Sequence, residues 1–368
     1  LKRVNGVLPL ALCMRDHGIR GLVIPEGNLR EALSVEDMDI YAFSELREAV
    51  RFLRAGRYQR RALGKLAGAS EGAGRKHERQ VLLDGQPVAV PDPDAAAPDP
   101  MEGIPDFSDI RGQAYLKRAA EIAVAGRHNI LFTGPAGTGK TTLARAMTGI
   151  LPGLTRKEDL EISAVYSIAG LLSEDMTLMG RRPFRAPHHG ISASAFLGGG
   201  RRIMPGELSL ASGGILFLDE FPLFQRNVIE SLRQPLEDGS ITVQRVGGSV
   251  TYPADIQLVA SMNGCPCGHF PSPECHCTSA QIRAYMGRLS KPIVERIDIC
   301  AEARPLGGDA FLKTDTDGVA GDRSESSAEV RLRVEEARRI QENRFRSEQR
   351  LRFNGRMGLR ETERYCIL

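Results

Sequence analysis

An α/β fold on a parallel sheet is what this sequence predicts, and three stretches predict it. Residues Gly134-Pro135-Ala136-Gly137-Thr138-Gly139-Lys140-Thr141 fit G-x-x-x-x-G-K-[ST], between an apolar run at 129–133 and a helical pattern at 142–147. Gly214-Ile215-Leu216-Phe217-Leu218 is a second apolar run and ends in Asp219-Glu220. Ile256–Met262 is a third and ends in Asn263. Continuous apolar runs mark central strands buried on both faces. Open α/β sheets gather ligands at the carboxyl ends of their strands, where these polar residues fall. The expected architecture is a P-loop core of three layers, αβα.

Bulk composition sets limits. At 368 residues the chain has room for two or three domains of ~150 residues. Hydrophobic content of 42% and charge of 26% are ordinary for a soluble globular protein. A net charge of +3 is too small to argue for nucleic acid by itself, so any basic surface is local. No apolar run reaches the ~20 residues of a membrane span. The apolar stretch Val7–Leu12 behind Lys2-Arg3 makes a poor signal peptide, because Asn5-Gly6 interrupt it and no small-x-small site follows before Arg15. The chain starts at Leu1 without an initiator Met and reads as beginning inside a domain. Seven cysteines, an odd number, suggest a reducing compartment such as the cytoplasm rather than a disulfide framework.

The elements follow in order. Val7–His17 reads as a helix closed by Gly18, and Gly21–Pro25 as a buried strand. Asp39–Phe43 reads as another strand, with Ser44 as N-cap of a helix from Glu45 to Leu53. Residues 57–100 read as a linker, first rich in Gly and Arg, then Pro-Asp-Ala repeats, with a short strand at Val81-Leu82-Leu83. Asp109–Gln113 precedes a helix from Ala114 to Ala125 that leads into the P-loop strand.

The chemistry of the central stretch explains its residues. Gly134, Pro135, Ala136, Gly137, Thr138 and Gly139 form a loop whose N–H groups curl around phosphates, and Thr142 opens the helix that adds positive partial charge. Lys140 is expected to reach the β- and γ-phosphates, and Thr141 to offer a hydroxyl to Mg²⁺. Asp219 suits the same Mg²⁺, and Glu220 suits a water-activating base. Asn263 offers an amide that donates and accepts, and the following Gly264 equally fits a turn.

These motifs in this order resemble the AAA+ ATPases. That resemblance implies ATP as the nucleotide, Ile110 and Gln113 as neighbours of the adenine, and Asn263 as the first sensor. It implies an arginine finger near Lys291–Asp298, with Arg296 as candidate and Arg288 as the alternative. A finger of this kind reaches a neighbouring subunit's γ-phosphate.

Several runs are more specific: Arg182-Pro183-Phe184-Arg185-Ala186-Pro187-His188-His189, Leu197-Gly198-Gly199-Gly200, Pro205-Gly206-Glu207-Leu208-Ser209-Leu210-Ala211, Leu232-Arg233-Gln234-Pro235-Leu236-Glu237-Asp238-Gly239 and Met262-Asn263-Gly264-Cys265-Pro266-Cys267-Gly268. Together they resemble the bacterial ComM/YifB family of magnesium-chelatase-like AAA+ ATPases. The helix, G-I-R-G-L-V-I-P-E-G-N, strand and S-E-L-R-E-A-V near the start resemble the end of a Lon-type protease domain. The resemblance places Leu8 where the dyad lysine would stand, and the serine has no counterpart, so it implies fold without proteolysis.

The family implies a ring, hexameric, hydrolysing ATP between subunits. It further implies DNA branch migration with helicase activity during integration of transforming DNA. Competing readings are the ATPase subunit of a metal-chelatase and a nucleotide-dependent assembly module. The expected division is 1–56 for the Lon-like piece, 57–100 for the linker, 101–306 for the ATPase core and 307–368 for the start of an incomplete helical lid. Glu295 stands where the family has Asp.

Two loops of the clade point into the ring pore, here 197–204 and the hairpin 240–251. They bring Arg201, Arg202 and Arg245 as phosphate contacts, or as solvated charges. Cys265-x-Cys267 and Cys275-x-Cys277 suit a Cys₄ zinc site, with His269 and His276 as substitutes, or else reduced or redox-active thiols. The adjacent His188 and His189 suit a structural or hydrogen-bonding role.

Overall fold

Leu8, Leu22, Ile24, Ile40 and Ala42 form the core of one of the two compact units of the chain, Leu1–Pro100 together with Leu154–Arg181. The computed structural model describes residues 1–55, 80–88, 103–173, 175–200, 203–245, 248–305, 324–348 and 351–366. In this unit β1 (Gly21–Pro25), β2 (Asp39–Phe43) and β3 (Val81–Leu83) run parallel, and β4 (Gln86–Pro87) returns antiparallel to β3. Leu8 is fully buried in this core.

Three local outcomes differ from the pattern reading. Residues 81–87, expected within the linker, pair through β3 onto β2. The stretch 154–181, expected within the ATPase core, groups with the first hundred residues. Its helix Arg156–Ala169 starts from a Thr155/Glu158 capping box and carries Leu160 onto the Leu8 cluster. A buried carboxylate anchors it, since Glu31 accepts from Ser167 Oγ at 2.7 Å and from Asn28 Nδ2. Third, Ser44 caps nothing: its hydroxyl donates to Asp84 at 2.9 Å, and the helix Leu46–Arg54 begins without a side-chain cap. The carboxylate in the β3–β4 turn is the stronger acceptor for that hydroxyl.

The other unit, Met101–Gly153 with Arg182–Leu368, holds the predicted sheet. Strands β5 (Ile130–Thr133), β6 (Phe184–Arg185), β9 (Ile215–Leu218), β12 (Gln257–Met262) and β13 (Ile299–Glu302) are all parallel, in the order β13-β5-β12-β9-β6. Every residue of β9 is buried, as its unbroken apolar run predicted, and so is every residue of β12, including its polar Gln257 and Ser261. Helix Ala114–Gly126 and the long helix Ser327–Arg344 share one core with the sheet, through Leu116, Ala120, Ile130, Phe132, Val330 and Val334. Residues 327–344, expected to start a helical lid, are fastened to this core. Arg333 Nε lies 2.7 Å from Glu121, and Phe107 N donates to Ser327 Oγ at 2.9 Å.

Two small hairpins occupy the predicted loop positions. β7 (Gly198–Gly199) pairs with β8 (Met204–Pro205), and β10 (Ser240–Arg245) pairs antiparallel with β11 (Gly248–Pro253). Arg201 and Arg202 lie outside the described residues. Arg245 pairs through its backbone with Gly248 at the hairpin's far end. Among the described residues no helix is long and apolar enough to cross a membrane.

Candidate nucleotide site and thiol cluster

Sheet register assembles the site. Thr133 pairs with Met262, and Leu218 with Ala260. The next residue of each strand therefore falls at the same carboxyl edge: Gly134 opposite Asn263, and Asp219 opposite Ser261. Three sequence-distant motifs converge because β5 and β12 end level and β9 ends two residues short of them.

The P-loop connects β5 to the helix Lys140–Ala146, whose N-cap is Gly139 at φ 83°. That left-handed conformation suits glycine, and it turns the following N–H groups outward. Gly134 has a packing reason as well, since a Cβ there would lie 2.4 Å from the Ala303 carbonyl oxygen.

Lys140 is 7% exposed and points its ammonium back into the loop. Its Nζ donates to the carbonyls of Gly134 at 2.8 Å and Pro135 at 2.7 Å, and stands 3.4 Å from Asn263 Oδ1. Burial lowers its pKa, and the charge of Asp219 opposes that shift. Thr141 Oγ1 donates to Asp219 Oδ2 at 2.9 Å, and Ser261 Oγ donates to the other carboxylate oxygen. A hydroxyl and a carboxylate converging at a loop of backbone N–H groups are hard oxygen donors, the set that Mg²⁺ with phosphate requires. The residues fit that pair.

Glu220 follows Asp219 with φ 52°, a strained value for a side-chain-bearing residue. Its carboxylate lies 3.4 Å from His189 Nδ1. The rings of His188 and His189 lie 4.0 Å apart between centroids, tilted by 34°. The sequence pattern showed these histidines without a partner, because the contact arises only when the turn after β6 meets the end of β9.

Gln113 Nε2 donates to Arg304 O at 2.7 Å and reaches Thr138 O at 3.5 Å, which puts it beside the P-loop. Ile110 is packed in the core with Phe107 and Leu116. Arg288 donates to Pro222 O at 3.3 Å, two residues past Glu220. Arg296 is elsewhere. Its carbonyl accepts from Asn129 Nδ2 at 2.9 Å, at the amino end of β5. The length of β13 separates it from the P-loop edge, ~13 Å at ~3.3 Å per residue. Its guanidinium pairs with Glu237 and donates to Pro292 O at 2.6 Å. Glu295 is paired with Lys291 at 3.6 Å.

The four cysteines gather on the loop after β12. Their sulfurs all lie within 4.8 Å of one another. Burial alone would raise the Cys265 thiol, but the Phe270 N–H and the neighbouring sulfurs outweigh it and bring its pKa to about 6. His269 is turned to Glu274 at 3.5 Å instead.

Comparison with known proteins agrees with this geometry. The family model described as "Magnesium chelatase, subunit ChlI" matches residues 106–310, more than half of the chain. Competence protein ComM of Haemophilus influenzae is 38% identical over all of this chain and 65% of its own length. An uncharacterized protein of Mycobacterium tuberculosis is 37% identical over 94% of this chain and 61% of its own length. Protein YifB of Escherichia coli is 43% identical over 72% of this chain and 50% of its own length. The chain thus spans between half and two thirds of these relatives. With the parallel sheet, the P-loop and the paired carboxylates in place, the chain belongs to the magnesium-chelatase ChlI family, on the branch that resembles ComM and YifB.

Proposed function

We propose that this chain is the ATP-hydrolysing part of a ring-forming DNA motor. The observation that carries the hydrolytic half is the Thr141–Asp219 hydrogen bond of 2.9 Å, with Glu220 next in the chain and Lys140 beside Asn263. Lys140 exchanges the carbonyls of Gly134 and Pro135 for phosphate oxygens. Thr141 and Asp219 hold Mg²⁺, with Ser261 fixing the direction of Asp219. Bound there, Mg²⁺ neutralises charge on the β- and γ-phosphates. Glu220 accepts a proton from the water whose oxygen bonds to the γ-phosphorus as the β–γ bridging P–O bond breaks, leaving ADP and phosphate. His189 sets the resting direction of that carboxylate. Asn263 orients the water or the γ-phosphate. Gln113 and Ile110 belong to the adenine side. In the four-cysteine loop zinc is the second metal of this reading.

The remaining assignments rest on family likeness. Arg296, at the edge of the sheet away from its own P-loop, serves a neighbouring copy's nucleotide, with Arg288 as the alternative. A ring of six copies in the cytoplasm follows the same likeness. The division drawn from the same likeness, a Lon-like piece at 1–56, a linker at 57–100, a core at 101–306 and a lid beginning at 307, gives way at 81–87 and 154–181, which group with the first unit. DNA enters through the likeness to a protein named for competence. Arg245 at the end of β10, and Arg201 and Arg202 in the loop predicted at 197–204, are its candidate phosphate contacts.

Forked or four-way-junction DNA should bind the full-length protein and raise its steady-state ATP hydrolysis several-fold. A substitution of all three arginines by alanine should remove the stimulation and keep the basal rate. No binding to branched DNA and no change in rate would remove the motor reading. The result would then favour a chelatase-type ATPase.

A further inference from the structure

The loop after β12 has a second property besides its four thiols: it touches the nucleotide site. Cys265 follows Asn263 by two residues. The turn Cys265–Gly268 closes on itself, with Gly268 N donating to Cys265 O at 3.1 Å. The carbonyl of the same Gly268 accepts from Ala136 N of the P-loop at 3.4 Å. Gly268 lies so close to both partners that a Cβ on it would meet Asn263 Nδ2 at 3.6 Å and Ala136 Cβ at 3.7 Å. One short turn therefore bridges the phosphate loop and the amide that faces Lys140.

The sulfur geometry identifies what closes that turn. Cys265 Sγ is 3.3 Å from Cys267 Sγ and 3.6 Å from Cys275 Sγ, and Cys267 Sγ is 3.7 Å from Cys275 Sγ. A tetrahedral zinc with bonds of ~2.3 Å sets its sulfurs ~3.8 Å apart. A disulfide would need ~2.05 Å, and all seven cysteines are free. The Phe270 N–H points at Cys265 Sγ at 3.4 Å, the donor that metal-bound thiolates attract. The loop has little apolar packing of its own: Cys265 is buried, but Cys267 is exposed and Phe270 is 44% exposed. Short segments without a core depend on such a staple.

We propose that Cys265, Cys267, Cys275 and Cys277 bind one zinc ion as four thiolates, and that this closed loop holds Ala136 and Asn263 in the geometry that binds nucleotide. On binding, those of the four thiols that are still protonated release their protons to solvent as four Zn–S bonds form. The coupling to nucleotide rests on the ATPase reading above; the metal site stands on the sulfurs alone. Zinc is then a structural part of the ATP site, and its loss loosens the P-loop from the side of β12.

Full-length protein purified under reducing conditions should carry about one zinc per chain by elemental mass spectrometry. Cobalt exchanged for it should give the absorption of a tetrahedral tetrathiolate. Cys265→Ser with Cys275→Ser should carry none, whereas Cys13→Ser should keep the metal. Stripping zinc from the wild type should weaken binding of a fluorescent ATP analogue roughly fivefold or more, and added zinc should restore it, which a misfolded sample would not do. Wild-type protein without zinc would overturn the metal site. Zinc that is present but whose removal leaves nucleotide affinity unchanged would overturn the coupling. One zinc per chain with no nucleotide bound by the wild type would overturn the ATPase reading and the coupling, and would support the metal site alone.

Discussion

Glu220→Gln binds ATP as tightly as the wild type and hydrolyses it more slowly by about 10²-fold or more. The substitution keeps the size of the side chain and leaves an oxygen facing His189, which stands 3.4 Å from the carboxylate. Lys140, Thr141 and Asp219 are untouched, so the phosphates and Mg²⁺ keep their ligands. What goes is a group able to take a proton from water, and proton transfer by a placed side chain contributes ~10²–10⁴ in rate. Binding of a fluorescent ATP analogue and release of phosphate, measured on the same preparation, separate the two effects. Turnover near the wild-type rate would show that Glu220 is not the base. A loss of binding in parallel with turnover would show instead that the residue holds the site together.

Lys140→Ala acts one step earlier and weakens nucleotide binding itself, by about 10²-fold or more. Lys140 is 7% exposed and its ammonium makes two good hydrogen bonds, so it is well placed to deliver its charge to a phosphate. Burial lowers its pKa, and the charge of Asp219 opposes that shift. Removing it leaves the Gly134 and Pro135 carbonyls without their donor, and Asp219 without its counter-charge. Titration calorimetry with ATP and Mg²⁺ measures the loss, and a melting curve without nucleotide shows whether the loop has lost order as well. Unchanged affinity would mean that the phosphates sit elsewhere.

The parts of this site legible in the sequence are those carried by local pattern. An unbroken apolar run marked β9 and a mainly apolar one marked β12 as central strands, and the residues just past them, Asp219 and Asn263, share one edge with the P-loop. What pattern does not encode is contact across the sheet. His189 meets Glu220 only because β6 lies beside β9, and Gly268 meets Ala136 only because the cysteine loop folds back over the β5 turn. The same limit explains the unit boundaries. The helix Arg156–Ala169 reads as part of a continuous core in sequence, yet a buried Glu31–Ser167 hydrogen bond and the packing of Leu160 join it to the first hundred residues. Ser44 failed as a cap for a related reason, since Asp84, forty residues on, offers its hydroxyl a carboxylate. Spacing did anticipate the four cysteines as a group, but not the contact of their loop with Ala136 of the P-loop.

Release of phosphate from ATP by the full-length protein, followed with Mg²⁺ and again with the metal chelated, tests the central claim most directly. The arrangement of Lys140, Thr141, Asp219 and Glu220 predicts hydrolysis that requires Mg²⁺ and disappears in Asp219→Asn. Hydrolysis indifferent to both the metal and Asp219, or no binding of ATP at all, would contradict it.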